Sequence, residues 1–148
     1  MENNVVITNH YHGITFMGMR NSKIANNTVI DQIPGDNLSP WIMISNHKNG
    51  TPSENCLIIN NLAMRSISVE GTNVTERNNY VIGHDNFSQL ADLFVNSAGF
   101  NVNLLTNELT LENIIDKGEK VEGLISSEID KDQNIRTLPP DIGAFEAR

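Results

Sequence analysis

The chain has 148 residues, a length that fits one domain with a substantial buried core. Its formal net charge is −8 and its pI is near 4.8, so it would repel a phosphate backbone, and we expect no nucleic-acid partner. No apolar run approaches the roughly 18 residues that a bilayer-spanning helix needs, which predicts that the chain has no membrane span.

The N-terminal residues indicate that the chain is part of a longer protein. Residues 1–4 lack the charged and apolar regions of a signal peptide and lead directly into the middle of a repeat. We therefore expect an export signal and further coils upstream, in a longer parent protein.

The single cysteine, Cys56, excludes an intramolecular disulfide. Because it opens an apolar run that ends at Ile59, we expect a buried thiol there.

Asparagine is unusually frequent: 22 of the 148 residues are Asn, although Asn is depleted in ordinary strands and unfavourable in helices. Four Asn pairs are each followed by apolar or β-branched residues, and their first members lie 23, 34 and 18 residues apart. A period of about 20–30 residues with short β runs and no helical periodicity predicts a solenoid of strands. The pairs are Asn3-Asn4, Asn26-Asn27, Asn60-Asn61 and Asn78-Asn79.

Further short strands are predicted between the Asn pairs, at 13–17, 41–45 and 66–70, so that each coil has at least two strand faces. Two turn-rich stretches, 32–40 and 46–53, interrupt the longest interval between pairs. A solenoid tolerates insertions only where a turn projects from the stack, so we predict loops at both places, on one side of the molecule. Loops on a rigid scaffold carry a disproportionate share of binding groups.

The Asn pairs have two interpretations. Stacked coils lie about 4.7–4.9 Å apart, so equivalent Asn side chains can form an amide ladder along the axis. An inward Asn would then donate to one neighbouring coil and accept from the other, whereas an orphaned amide would cost about 1–3 kcal/mol. Alternatively, the pairs are turn residues that tolerate left-handed backbone conformations. The predicted ladder residues are Asn4, Asn27, Asn61 and Asn79.

The C-terminal part of the sequence carries four elements in a distinctive order. They are Asp92-Leu93-Phe94-Val95, Ile115-Asp116-Lys117-Gly118, the segment 128–136, and Pro140-Asp141-Ile142-Gly143-Ala144-Phe145-Glu146. This series resembles the C-terminal end of bacterial secreted β-helix proteins of the pectin-lyase-like superfamily, with their DLFV, IDKG, DxDGxxR and PDIGAFE elements. The third element departs from that pattern, because its usual glycine is missing.

The resemblance implies an all-β fold: a right-handed parallel β-helix, or solenoid, of few coils with an irregular C-terminal cap. Residues 1–86 would form the coils with the two loop insertions, and residues 87–148 the final coil and the capping tail. A solenoid ends in an unpaired coil that needs a cover. The apolar side chains available for this are Phe94, Phe100, Leu104, Ile142 and Phe145. We expect Asp141 and Glu146 to serve as partners of turn amides or of Arg136.

The superfamily contains pectate lyases, polygalacturonases, alginate and chondroitin lyases and mannuronan epimerases. The resemblance therefore implies a secreted or cell-surface parent protein, in which a sugar chain lies in a groove across the coils. We predict the C-terminal segment of a protein that acts on an acidic polysaccharide such as alginate, pectate or chondroitin, as a lyase or epimerase or by binding alone. The alternative is a structural or adhesive β-helix, such as a cell-surface or phage tail component. Under either interpretation, the exposed N-terminal coil of the chain could support homo-oligomers.

Elimination beside a uronate carboxyl needs a base, together with a cation that neutralises the carboxylate of the substrate. Basic residues of suitable type occur in an early turn, in the loop at 46–53 and beyond it. The catalytic candidates are His10, His12, Arg20 and Lys23, and the substrate-binding candidates are Trp41, His47, Lys48 and Arg65. The alternatives are a solvated turn for the histidines and a core or loop anchor for Trp41.

Other chemistries find less support in the sequence. Hydrolysis needs two suitably spaced carboxylates, and the repeat region contains no paired-Asp motif. His10 and His12 could face the same way, but no third ligand is specified, so we predict no metal site there. No cofactor is required, although Ca²⁺ could bind the alternating oxygen ligands of 128–132, where a solvated loop is the alternative. The acids of the repeats are Asp31, Asp36, Glu54, Glu70, Glu76 and Asp85.

Overall fold

A computed structural model describes residues 1–33, 39–84 and 86–148. Asp36, Asp85 and the middle of the predicted loop at 32–40 lie outside the described residues. Among those that are described, no helix has the length and apolar character needed to cross a membrane.

Residues 5–81 contain ten short strands in the described part of the chain, and these strands form three parallel sheets. Their sequences are rich in Val, Ile and Thr, which pack well on a pleated surface. The strands are β1 (Val5–Ile7), β2 (His12–Met17), β3 (Lys23–Ala25), β4 (Thr28–Ile30), β5 (Trp41–Ser45), β6 (Glu54–Ile59), β7 (Leu62–Ala63), β8 (Ile67–Val69), β9 (Thr72–Arg77) and β10 (Tyr80–Val81).

The sheets show how the chain stacks. Sheet 1 has the order β1-β4-β7-β10, sheet 2 the order β2-β5-β8 and sheet 3 the order β3-β6-β9. Each circuit of the chain adds one strand to each sheet, so successive circuits lie on top of one another. The predicted all-β, solenoid-like stack of parallel strands is confirmed at this level. The sequence predicts at least two strand faces per coil, and the structure has three.

The interior of the stack is aliphatic because alternate residues of each strand point inward. In sheet 3, Ile24 pairs with Ile58, and in sheet 1, Val29 pairs with Ala63; all four are fully buried. Cys56 belongs to the same interior and is 3% exposed, which confirms the predicted buried thiol.

The second residue of each Asn pair forms an amide ladder across four coils. Nδ2 of Asn4 donates to Oδ1 of Asn27 at 2.9 Å, Asn27 donates to Asn61 at 2.8 Å, and Asn61 donates to Asn79 at 3.0 Å. Each accepting Oδ1 also receives the backbone N–H of the Asn in the preceding coil. Asn27 and Asn61 are fully buried, and these bonds satisfy amides that would be costly to leave unpaired.

The first residue of each pair makes the turn from sheet 3 to sheet 1. Asn3, Asn26, Asn60 and Asn78 have φ values of 56°, 50°, 55° and 50°. Asn enters this left-handed region more readily than most other residues with a side chain. The two interpretations of the pairs therefore apply to different members: the first residue turns the chain and the second forms the ladder.

A second Asn column, which the sequence analysis did not identify, lies at the corner between sheets 2 and 3. Asn21, Asn55 and Asn73 have φ values of 50°, 54° and 54°. Asn73 Nδ2 donates to Asn55 Oδ1 at 2.7 Å across 18 residues of sequence. This column repeats the 34- and 18-residue spacings of the Asn pairs, and that shared spacing is the signal that could have revealed it.

The C-terminal segment, 86–148, is built of short elements. Two strands form a small antiparallel sheet, and one helix begins at a capping box in which Asn107 accepts the N–H of Thr110. The elements are α1 (Leu90–Leu93), β11 (Phe94–Asn96), β12 (Asn101–Leu104) and α2 (Glu108–Asn113), with 3₁₀ turns at Phe87–Gln89, Ser97–Gly99 and Ile125–Ser127.

The C-terminal segment covers the outward face of sheet 1. Ile30 and Leu62 point away from the solenoid interior and join a second apolar core with the segment. Gly143, at φ 101°, approaches so closely that an added Cβ would lie 3.0 Å from Thr28 Oγ1, and its N–H donates to Asn60 O at 2.8 Å. The segment contributes to this core through Phe94, Leu104, Ile142 and Phe145.

This packing differs from the expected cover over the last coil. Val81, which points inward on the last coil, is 43% exposed, and Phe100 is 71% exposed. The C-terminal segment packs against sheet 1 because the side chains on both faces of this sheet are apolar. Burying the outward face removes apolar surface from water along the whole sheet, whereas a cover at the end would bury only one coil.

Candidate functional site

A cluster of aromatic and cationic side chains lies at one end of sheet 2. Strands β2 and β5 pair in parallel so that His12 lies beside Trp41, with the ring centroids 5.1 Å apart and edge-on. Arg65 precedes β8 in the next coil, and its guanidinium carbon is 5.4 Å from the Trp41 ring centroid. The row crosses three successive coils, a width of roughly 10 Å.

Two further rings extend this row. Tyr11 lies 4.9 Å from Trp41 and 4.4 Å from His12 between ring centroids, and His10 stacks on Tyr11 at 4.4 Å. His10 and Tyr11 are exposed. We call His10, Tyr11, His12, Trp41 and Arg65 together the Trp41 cluster.

Thr15 orients two members of the cluster. Trp41 Nε1 donates to Thr15 Oγ1 at 3.3 Å, and the same hydroxyl lies 3.0 Å from His12 Nδ1. Both ring orientations are therefore held by one residue of β2. Thr15 was not among the predicted site residues. Strict alternation would place residues 12 and 15 on opposite faces, and the register irregularity between His12 and Ile14, which no local pattern indicates, brings them together.

The proton of His10 can be located from its backbone contact. His10 Nδ1 accepts the N–H of His12 at 3.2 Å. An accepting ring nitrogen carries no proton, so a neutral His10 in this arrangement carries its proton on Nε2. His10 can therefore donate a hydrogen bond to a ligand from Nε2.

The cluster adjoins an outward face of sheet 2 that is open to solvent. Thr15, Met43 and Ser68 align in register across three coils, and Met17 beside them is 41% exposed. Sheet 1, by contrast, has its outward face covered by the C-terminal segment. Sheet 2 therefore presents a mixed polar and apolar surface to solvent.

Arg20 and Lys23 are not part of the Trp41 cluster. Arg20 lies beyond the far end of β2, and its Nε is 3.4 Å from Glu54 Oε2 in an exposed ion pair. Lys23 begins β3 on sheet 3, where it is exposed and pairs in register with Leu57. The four catalytic candidates thus divide between sheet 2 and the region of sheet 3.

His47 and Lys48 lie in the loop after β5, at the end of sheet 2 opposite to Trp41. The strand Trp41–Ser45 between them spans roughly 13 Å. The loop is closed by hydrogen bonds, including one of 2.8 Å from His47 N–H to Thr51 O, and Lys48 is exposed. These two binding candidates are therefore separate from the cluster.

The described carboxylates of the coils do not meet in a pair. Each takes a different partner in a different part of the stack, so these groups do not form the arrangement that hydrolysis requires. Glu54 binds Arg20, Glu70 accepts from Asn46, Glu76 accepts from Asn79, and buried Asp31 accepts the N–H of Ile33.

The acidic segment 128–132 folds into a turn around Asp130. Its two oxygens accept four hydrogen bonds, from the N–H groups of Asp132, Asn134 and Glu146 and from Asn134 Nδ2. Burial acts to raise the pKa of Asp130, but these bonds outweigh it and hold the pKa below its ordinary value. Gln133 adopts φ 65° in the element whose usual glycine is missing. Ca²⁺ binding by this segment stays a prediction.

A buried polar network lies deeper in the C-terminal segment. Arg136 Nη1 is 3.0 Å from Glu146 Oε2, and Asp141 accepts N–H groups from Asp116 at 2.8 Å and Ala147 at 2.6 Å. The pKa of Asp141 is raised, chiefly by burial and further by the nearby carboxylates of Glu146 and Asp116, although these hydrogen bonds act to lower it, and burial also lowers the pKa of Arg136. Asp141 and Glu146 thus partner turn amides and Arg136, as expected. The carboxylates of Asp116, Asp141 and Glu146 lie within 4.8 Å of one another, but their oxygens accept protein hydrogen bonds.

Comparisons of the chain with protein-family models, with curated proteins and with solved structures find no match. The geometry of the Trp41 cluster is therefore the basis for assigning a function. Among the predicted catalytic and binding residues, the structure brings together His10, His12, Trp41 and Arg65, and it places Arg20, Lys23, His47 and Lys48 elsewhere.

Proposed function

We propose that the outward face of sheet 2 binds an acidic polysaccharide and that the Trp41 cluster is its main contact. The observation that supports this is the Arg65 guanidinium over the Trp41 ring, with His12 edge-on to the same ring. An indole stacks on the apolar face of a sugar ring, and a guanidinium binds a carboxylate through two parallel hydrogen bonds. Together they match the ring and the carboxylate of one uronate residue.

The sugar chain would run along the axis of the stack, across β2, β5 and β8. His12, Trp41 and Arg65 belong to successive coils about 4.8 Å apart, so an extended ligand meets a new side chain at each coil. Alginate, pectate and chondroitin are the candidate ligands. The net charge of −8 opposes their long-range attraction, so binding depends on local contacts.

The same proposal includes the finer fold and the location of the protein. Three parallel sheets with one strand per circuit, and an Asn ladder beside one turn, support a right-handed parallel β-helix of the pectin-lyase-like superfamily. Crossover connections between parallel strands are almost always right-handed, which favours that hand. Acidic polysaccharides are extracellular ligands, so the parent protein would be secreted or attached to the cell surface.

A lyase or epimerase reaction is the second function that the cluster supports. His12 and Arg65 both contact Trp41, so a candidate base and a carboxylate-binding cation face one ligand surface. His12 would remove the C5 proton beside the uronate carboxyl, while Arg65 neutralises the carboxylate. In a lyase reaction the electron pair then forms the C4–C5 double bond, the C4–O bond to the neighbouring sugar breaks, and the departing oxygen takes a proton from water. In an epimerase reaction C5 instead regains a proton from water on its other face. Binding requires Trp41 and Arg65, and the reaction additionally requires His12.

Affinity electrophoresis in gels that contain pectate, alginate or chondroitin sulfate tests the binding. Trp41→Ala and Arg65→Ala should each weaken the interaction by about tenfold, the loss of a contact worth about 1.4 kcal/mol. Lys48→Ala changes an exposed cation at the opposite end of sheet 2 and should bind like the wild type. If the wild type binds none of the three glycans, a non-catalytic structural or adhesive role becomes the better assignment.

Ultraviolet absorbance of unsaturated uronate products tests for a lyase reaction. His12→Ala should abolish the signal while it retains most of the affinity for the glycan. Activity that survives in His12→Ala would exclude His12 as the base, and wild-type binding without any product would leave binding as the function.

A further inference from the structure

An open cavity of about 360 Å³ lies on the outward face of sheet 3. Its lining includes Lys23, Leu57 and Thr75, which stand in register on β3, β6 and β9. These three residues point outward because the neighbours of Leu57 along its strand, Cys56 and Ile58, belong to the aliphatic interior. The volume lies in the range of small-ligand sites, roughly 300–1,000 Å³.

The cavity carries positive charge. Lys23 and Arg77 both line it, and none of the described lining residues is an Asp or Glu. Arg77 is held in place by Glu119, whose Oε2 and Oε1 accept from Nε at 3.0 Å and from Nη2 at 2.9 Å. Lys23 has no ion-pair partner in the described part of the chain. An unpaired cation at this place stands out in a chain whose net charge is −8.

The other carboxylates of sheet 3 have partners away from the cavity. Glu54 lies 3.4 Å from Arg20 in an ion pair. Glu76 stands in register with the interior residue Ile58, on the opposite face of β9 from the cavity, and its Oε2 accepts from Asn79 at 3.1 Å. Neither acid therefore neutralises Lys23.

The first residues of the chain lie beside β3 but do not line the cavity. The amino group of Met1 donates to Lys23 O at 2.8 Å, and Oε2 of Glu2 accepts the N–H of Ser126 at 2.7 Å. The charge that lines the cavity is therefore that of Lys23 and Arg77, whatever stands at position 1.

The Asn column at the corner between sheets 2 and 3 supplies further hydrogen-bond donors. Asn21, Asn55 and Asn73 all line the cavity, and Asn73 Nδ2 donates to Asn55 Oδ1 at 2.7 Å. The column continues no further, since no hydrogen bond joins the side chains of Asn55 and Asn21. Their amide N–H groups are therefore available to a ligand, in contrast to the amides of the inner ladder.

We propose that this cavity binds an oxyanion, the carboxylate or sulfate group of a small sugar acid. Lys23 and Arg77 supply the charge, and the amides of Asn21 and Asn55 supply N–H groups for charge-assisted hydrogen bonds. The side chain of Leu57 gives the ring of the sugar an apolar contact. The cavity lies on a different sheet from the Trp41 cluster, so it is a second site beyond the one proposed on sheet 2.

Two-dimensional ¹⁵N–¹H NMR of the whole chain at constant ionic strength tests the proposal, with sodium glucuronate and sodium sulfate as probes and glucose as the uncharged control. Both anions should shift the amide signals of Lys23 and Asn55 in a saturable way, and glucose should bind at least about tenfold more weakly. Equal affinity for the two anions means that the oxyanion alone is recognised, and tighter binding of glucuronate means that the sugar ring contributes. Both outcomes support the proposal.

Asn55→Asp places a carboxylate in the cavity with little change of shape. Asp tolerates the left-handed conformation at φ 54°, and its Oδ1 can still accept from Asn73, so we expect the fold to persist. Repulsion should weaken the binding of either anion by at least about tenfold. Asn103→Asp makes the same change at an exposed position of β12 and should bind like the wild type.

Lys23→Gln removes the unpaired cation and should weaken binding by about fivefold or more. Lys48→Gln removes an exposed cation in the loop after β5 and should leave the affinity unchanged. This comparison separates a contact in the cavity from a general change of net charge.

Four results would overturn the proposal. They are the absence of saturable shifts on sheet 3 with either anion, equal binding of glucose, equal losses in Asn55→Asp and Asn103→Asp, and equal losses in Lys23→Gln and Lys48→Gln. Anions that shift only the indole signal of Trp41 would contradict the sheet 3 site and support the site on sheet 2. Shifts on sheet 3 without a response of Trp41 would support the sheet 3 site and count against the other.

Discussion

Arg136 Nη1 lies 3.0 Å from Glu146 Oε2, and both side chains are almost completely shielded from solvent. The same guanidinium donates to Gly143 O at 2.9 Å and to Asn3 Oδ1 at 3.3 Å. Asn3 makes the first turn of the coil stack. The buried pair therefore connects the C-terminal segment to the coil that is farthest from it in sequence.

Replacement of Arg136 by Met should lower the free energy of unfolding by about 3–5 kcal/mol, because it leaves the Glu146 carboxylate buried without a cation. Urea denaturation measures this change. Arg20→Met is the matched control, because Arg20 forms an exposed ion pair with Glu54 that is worth at most about 1 kcal/mol. Equal losses in the two variants would contradict a special role for the buried pair.

Asn61→Ala should destabilise the protein by about 2–3 kcal/mol or more, because it orphans several buried partners at once. Asn61 Nδ2 donates to Ile24 O and Asn79 Oδ1, and its Oδ1 accepts from Asn27. Thermal or urea unfolding gives the difference. Asn103→Ala removes an exposed amide and should change stability little; an Asn61 variant that is as stable as this control would show that the ladder contributes nothing.

Asp130 should make the stability of the protein depend on pH. Its pKa is lower in the folded chain than the ordinary value of 3.8, so the ionised form stabilises the fold at pH values above 3.8. This contribution is lost as the pH falls from 3.8 through the lower folded pKa. Asp130→Asn should therefore be less stable than the wild type at pH 6, and the difference should shrink below pH 3.8. Urea midpoints measured between pH 6 and pH 2 test this, and a difference that stays constant over that range would refute it.

Arg65→Lys should weaken glycan binding by roughly three- to tenfold although the charge is kept, because an ammonium cannot form the planar, bidentate contact with a carboxylate. Titration calorimetry with uronate oligosaccharides measures the affinity. Lys48→Arg, in the loop beyond β5, is the control and should leave it unchanged. Full affinity in Arg65→Lys would mean that Arg65 contributes only its charge.

The sequence by itself determined the parallel coils and much of the polar chemistry of the fold. Asn pairs followed by β-branched residues are a local pattern, and Asn27 and Asn61 stand in the ladder that their spacing indicated. In the C-terminal element 140–146, Asp141 accepts the backbone N–H of Ala147 and Glu146 pairs with Arg136, as expected. A repeated local pattern is sufficient for the ladder, because each repeat places its Asn at the same point of a coil although the partners are 18 to 34 residues apart.

Only the tertiary structure decided which side chains meet and which surfaces are covered. Trp41 and Arg65 come from different coils, and their contact depends on the register set by the intervening turns, which no local pattern contains. Strand Thr72–Arg77 has few apolar residues because it is an edge, and it was missed for that reason. Sheet 1 is apolar on both faces. The C-terminal segment therefore buries more apolar surface against the outward face of sheet 1 than it would over the last coil, and this difference explains why it packs against sheet 1.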